Sequence, residues 1–131
     1  MCTSTPTPSV LVVDDDDALR GFLVAALTSQ GYRTLEASDG SQVLQLVTEH
    51  APSVILMDLV MPNQEGLATI IQLRKAGCSS KVVAMSGSFA GSFLHPAELL
   101  GAHATLAKPF NLESLFHTVE SLLPTARPQA A

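Results

Sequence analysis

The stretch Val54-Ile55-Leu56-Met57-Asp58-Leu59-Val60-Met61-Pro62 decides the fold. Its four leading apolar residues read as a strand buried on both faces, the pattern of a parallel sheet covered on each side by helices. A carboxylate stands where the strand runs out, and Pro62 cannot donate to a ladder, so the strand ends there. In open parallel sheets, ligands collect at the carboxyl ends of strands, which makes Asp58 a candidate acceptor or ligand. A strand-end Asp can equally well only cap the next turn. The other strand ends decide between these readings.

Working outward, Val10-Leu11-Val12-Val13 is a strand that runs into Asp14-Asp15-Asp16-Asp17. Apolar residues from Ala18 to Leu27 then recur every three or four positions, an amphipathic helix closed near Gly31. Tyr32 to Ala37 is a second strand, and a helix carrying Val43, Leu44 and Val47 stops at His50-Ala51-Pro52. The third strand is Ser53 to Met57, followed by a helix with Leu67, Ile70 and Ile71 that ends around Gly77. Lys81 to Met85 is the fourth strand, finishing at Ser86-Gly87. A Gly- and Ser-rich loop with Phe89 and Phe93 follows, then a short helix opening at Pro96. Ala104 to Ala107 is the fifth strand, ending in Lys108-Pro109, and Leu112 to Leu123 carries the cleanest helical stripe in the chain. Strands thus start near residues 10, 32, 53, 81 and 104, and each step leaves room for one strand, one helix and two turns. The fold class is α/β, a doubly wound five-stranded parallel sheet with right-handed crossovers. The domain is expected over residues 9–123, between flexible tails at 1–8 and 124–131.

Composition narrows the function. A chain of 131 residues, 47% hydrophobic and only 15% charged, fits one domain with internal parallel strands. Twelve acidic residues oppose seven basic ones, and no Lys or Arg patch forms, which argues against direct binding to nucleic acid or anionic membranes. Cys2 and Cys78 make no disulfide framework and suit a reducing compartment. No apolar run approaches the roughly 20 residues of a membrane span, and the first nine residues lack the pattern of a secretory signal. A cytoplasmic location is expected. His50, His95, His103 and His117 lack metal-ligand spacing and read as surface residues. Met57, Met61 and Met85 read as packing.

Four strand ends on one edge of the sheet carry polar groups: Asp14 with Asp15, Asp58, Ser86 and Lys108. Carboxylates at about 4 Å repel by about 4 kcal/mol per pair at an effective dielectric near 20, so such a cluster asks for a cation. All-oxygen ligands without His or Cys favour Mg²⁺ or a similar hard ion, and Mg²⁺ favours phosphoryl oxygens. Lys108 supplies a compact positive charge suited to phosphate, and Ser86 a hydroxyl. Asp58 is then the carboxylate nucleophile, with an aspartyl phosphate as its product. Asp16 and Asp17 read as helix capping and macrodipole partners.

Val12-Val13-Asp14-Asp15, Met57-Asp58 with Met61-Pro62 and Gly66, Ser86-Gly87 and Lys108-Pro109-Phe110 together resemble the receiver domain of bacterial two-component response regulators. Glu36-Ala37-Ser38-Asp39-Gly40 is similar to that family's second-strand turn. The resemblance implies strand order 2-1-3-4-5 and a phosphoryl group passed to Asp58 from a phosphohistidine on a histidine kinase or histidine phosphotransfer protein. It implies Mg²⁺ held by Asp15, Asp58 and the backbone carbonyl of Val60, with Asp14 acting through a water. Lys108 would contact the phosphoryl group, Ser86 would swing towards it, and the Lys108-Pro109 peptide would be cis. The domain would not be a conventional enzyme. It would act alone, as a monomer or weak dimer, through a downstream partner protein or onward transfer along a phosphorelay.

Three features depart from the family pattern. Thr105 stands where an aromatic residue usually reports phosphorylation, and the helix after Pro96 is short. Val60 and Ser88, two residues after Asp58 and Ser86, are poor groups for positioning an attacking water, so slow dephosphorylation is expected. Two other readings compete. A phosphorylation-independent binding module is favoured by Thr105. A haloacid-dehalogenase-type phosphohydrolase would use Asp14-x-Asp16 after the first strand and leave Asp58 without its central role.

Overall fold

The structure is a computed structural model, and it describes residues 8–59, 66–86 and 101–123. Its elements are β1 (Ser9–Val13), α1 (Asp17–Ser29), β2 (Arg33–Ala37), a 3₁₀ turn (Gly40–Gln42), α2 (Val43–His50), β3 (Val54–Asp58), α3 (Gly66–Lys75), β4 (Lys81–Ser86), β5 (Ala104–Ala107) and α4 (Leu112–Leu122). All strand pairs are parallel, in the order β2-β1-β3-β4-β5. The expected sheet and its order are therefore what the chain forms. Asp58 is the last residue of β3 and pairs in register with Met85 of β4, one step deeper in the ladder than the sequence pattern suggests. Residues 1–7 of the expected tail at 1–8, the expected tail at 124–131, the loop with Phe89 and Phe93, and the helix opening at Pro96 lie outside the described residues.

Alternation along the strands divides one sheet between two cores, because successive side chains point to opposite faces. Leu11, Val13, Ile55, Met57, Val82 and Ala84 face Val43 of α2 and Ile70 and Leu73 of α3. Val10, Val12, Val54, Leu56, Val83 and Met85 face Leu23 and Leu27 of α1 and Leu115 and Val119 of α4. Every residue of β3 is buried, which is why Val54 to Met57 are apolar without alternation. Each large side chain so buried contributes about 1.5–3 kcal/mol.

The helix boundaries are chemical. Asp16 caps α1 by accepting from Leu19 N–H, and Asn111 caps α4 by accepting from Ser114 N–H. Two helices end in the same glycine motif. Gly31 at φ 94° lets its N–H reach Thr28 O and the Tyr32 N–H reach Leu27 O, and Gly77 at φ 74° does the same with Arg74 and Leu73. These stops return the chain to the start of the next strand, so that all strands end on one edge. Among the described residues, no helix is long and apolar enough to cross a membrane.

Candidate functional site at the carboxyl edge of the sheet

Asp14 leaves β1 fully buried, with its N–H still donating to Ala37 O at 3.2 Å. Its carboxylate is held from two sides: Oδ1 accepts from Asp16 N–H at 2.9 Å and Oδ2 from Lys108 Nζ at 2.9 Å. Asp58 is 5% exposed, and its Oδ1 lies 3.6 Å from the same ammonium, an ion pair beyond hydrogen-bond distance. Asp15 is exposed, and carboxylate oxygens of Asp14, Asp15 and Asp58 lie within 4.8 Å of one another. The sequence-derived cluster is thus assembled in space, from strands remote in the chain.

Lys108 reaches this cluster because β5 ends beside β4. Its N–H donates to Ser86 O at 2.6 Å, and the Lys108-Pro109 peptide is cis, as the resemblance implies. Ser86 closes β4 fully buried. Val60, Met61 and Ser88 lie outside the described residues, and so does any carbonyl ligand from Val60. Thr105 is half-buried in β5, opposite Ala84.

The donor set fits a hard dication. Three carboxylates offer only oxygen, and one lysine leaves the group with excess negative charge in a partly desolvated site. Among the described residues, no other group of three or more His, Cys, Asp or Glu side chains converges in this way.

One residue at this edge escapes sequence reasoning. Arg20, with a side chain only 15% exposed, donates through Nη1 to Asp14 O at 2.7 Å, Nη2 to Asp17 Oδ1 at 2.7 Å and Nε to Glu36 Oε1 at 3.1 Å. The hydrogen bond to Asp17, chiefly, pushes its pKa up against the opposing effect of burial, and Glu36 adds to the rise. Nothing in the spacing of Arg20 and Glu36 signals this contact, which exists because α1 packs over β2. His103 also does more than a surface residue: it is exposed, yet its ring Nδ1 accepts from Val82 N–H at 3.0 Å while its backbone N–H donates to Val82 O at 2.7 Å.

A doubly wound 2-1-3-4-5 sheet with an acidic triad and a lysine at its carboxyl edge defines a receiver-type signalling domain. The profile of the response regulator receiver domain matches residues 10–120. Sporulation initiation phosphotransferase F of Bacillus subtilis (strain 168) is 28% identical over 115 residues, covering 88% of this chain and 93% of that protein. Response regulator MprA of Mycobacterium leprae (strain TN) is 33% identical over 122 residues, covering 93% of this chain but 54% of that protein. The chain therefore spans about half the length of that regulator. The receiver domain of the Francisella response regulator 1452 superposes with a TM-score of 0.82 at 29% identity, over 88% of this chain and 96% of that one. The chain belongs to the response regulator receiver domain family, the signalling modules of two-component systems. Members of this family bind Mg²⁺ at an acidic pocket and work with histidine kinases or phosphotransfer proteins.

Proposed function

We propose that Asp58 accepts a phosphoryl group from a partner's phosphohistidine, with Mg²⁺ held by Asp15, Asp58 and the backbone carbonyl of Val60 and with Asp14 acting through a water. The observation that carries this reading is the convergence of three carboxylates on one lysine at the carboxyl edge of the sheet. In the transfer, an oxygen of the Asp58 carboxylate forms a bond to phosphorus as the phosphorus–nitrogen bond to the partner's imidazole breaks, and the electron pair stays with the ring. Mg²⁺, when bound, supplies charge neutralisation for the phosphoryl oxygens. Lys108 stands within reach of both buried carboxylates and offsets part of their charge before transfer; a phosphoryl oxygen on Asp58 offers its ammonium a new partner. The chemistry is self-directed, one phosphoryl group per chain, so the domain works as a switch or carrier in the cytoplasm rather than on a separate substrate.

The delivering partner needs a surface next to Asp58. Leu19, Phe22, Leu23, Pro109, Phe110 and Leu112 line a cleft of about 370 Å³ that opens beside Lys108. Phe22 is 55% exposed, an unusual position for a ring in water. That cleft suits an apolar helix face presenting the phosphohistidine.

Intact mass after incubation with acetyl phosphate and Mg²⁺ tests the reading. Wild type is expected to gain one phosphoryl group and Asp58→Asn none. No gain in wild type, with acetyl phosphate or with a set of histidine kinases, would favour the phosphorylation-independent binding module and make Thr105 the residue to explain.

A further inference from the structure

Asp15 is the exposed member of the acidic triad, and among the described residues its side chain makes no hydrogen bond or ion pair. No contact selects its rotamer, so what the fold fixes is its Cα–Cβ bond, through the backbone that carries it. The peptide unit entering Asp15 contains the Asp14 carbonyl and the Asp15 N–H in one plane, so anchoring that carbonyl orients the residue behind it. Beyond the end of β1, the Asp14 carbonyl takes its hydrogen bond from Arg20 Nη1, at 2.7 Å. The guanidinium is in turn fixed by Asp17 in the first turn of α1 and by Glu36 in β2.

The geometry points to Arg20 as the positioning residue of the metal site: it fixes the Asp14-Asp15 peptide plane and so aims the Asp15 carboxylate at the cation. This rests on the reading of the triad as an Mg²⁺ site. A purely electrostatic role for Arg20 is the weaker account. Asp17 and Glu36 are exposed at 85% and 51%, and ion pairs with such partners are worth about 0–1 kcal/mol. What the three contacts share is a rigid, planar fork that meets three acceptors in three directions at once. A lysine carries the same charge but is a point donor on a flexible stem, unable to hold that geometry.

The test is Mg²⁺ affinity, by calorimetry and by Mn²⁺ competition in electron paramagnetic resonance, for wild type, Arg20→Lys, Arg20→Ala and Glu36→Gln, with Tm in EDTA as the second readout. Arg20→Lys is expected to raise Kd about 10- to 100-fold, the usual effect of losing an outer-sphere partner. Glu36→Gln, which leaves the Asp14 contact and weakens one anchor, is expected to raise it less. The loss in Arg20→Lys should persist at 0.5 M salt, because orientation is not screened. Wild-type affinity in Arg20→Lys overturns the proposal even if Tm in EDTA falls, since Arg20 is then only a structural clamp. A loss that vanishes at high salt overturns it as well. Wild type that binds no Mg²⁺ overturns both this inference and the reading of the site. Should Arg20→Ala fail to fold, Arg20→Lys and Glu36→Gln decide.

Discussion

Lys108 is the residue on which the site balances. Its side chain is 21% exposed, and its ammonium lies between two buried carboxylates, closer to Asp14 than to Asp58. Removing one partner of a buried ion pair leaves an uncompensated charge, at a cost of several kcal/mol when burial is complete. Because Lys108 is partly solvated, Lys108→Met should destabilise the metal-free domain by a smaller amount, about 1–3 kcal/mol. Mg²⁺ should restore much of that loss, since the cation neutralises the same carboxylates. Urea unfolding in EDTA and in Mg²⁺ measures both; equal stability of variant and wild type in EDTA would show that Asp14 and Asp58 do not need the lysine. Sequence spacing identified Lys108 as a strand-end cation, but its partner was not legible, because Asp14 is 94 residues away. The four-Asp run was better resolved: Asp14 and Asp15 join Asp58, whereas Asp16 caps α1 and Asp17 pairs with Arg20 in its first turn.

At the scale of elements, β5 is one of two edge strands, and His103 helps tie its approach to β4. The ring accepts from Val82 N–H, so protonation at Nδ1 would replace an acceptor with a donor and break that bond. Partial desolvation of the ring first, then Lys81 of β4 and Arg74 of α3, lowers its pKa below the ordinary histidine value of 6.5. Between the lowered value and 6.5 the unfolded chain binds a proton that the folded chain does not, so stability rises with pH there. The contribution is present in full above 6.5 and is lost as pH falls from that value through the folded-state pKa. The stability difference between wild type and His103→Ala, followed by urea unfolding from pH 8 to pH 5, should therefore shrink as pH falls. A difference independent of pH would remove His103 from the account. The sequence placed His103 correctly on the surface. It could not show the reciprocal bonds with Val82, which depend on β5 lying next to β4.

For the whole molecule, the two cores meet on one sheet whose carboxyl edge carries the site, so cation binding and folding are linked. Anything that binds the native state alone stabilises it, by about 2.7 kcal/mol at 100 times Kd. Mg²⁺ should raise Tm in wild type, and Asp58→Ala should reduce the rise. Thermal unfolding monitored by circular dichroism decides; an equal rise in both proteins would place the ion elsewhere. The same architecture sets the Phe22 cleft beside Lys108, since α1 and the segment entering α4 pack on one face of the sheet.

The sequence by itself determined the alternation of strands and helices, the burial of β3 on both faces, and the carboxylates, serine and lysine at strand ends. These are short-range properties: hydrophobic period, helix caps and chain breakers act within a few residues. The receiver motifs added strand order and the cis peptide, by resemblance. Tertiary structure alone decided that Lys108 hydrogen-bonds Asp14 and approaches Asp58 less closely, and that Arg20 joins the Asp14 carbonyl to Glu36. It also decided that the His103 ring accepts a backbone bond from β4. Such contacts depend on which side chains helix packing and strand neighbours bring within about 3 Å of one another, a distance at which hydrogen bonds form and about which a linear pattern carries no information.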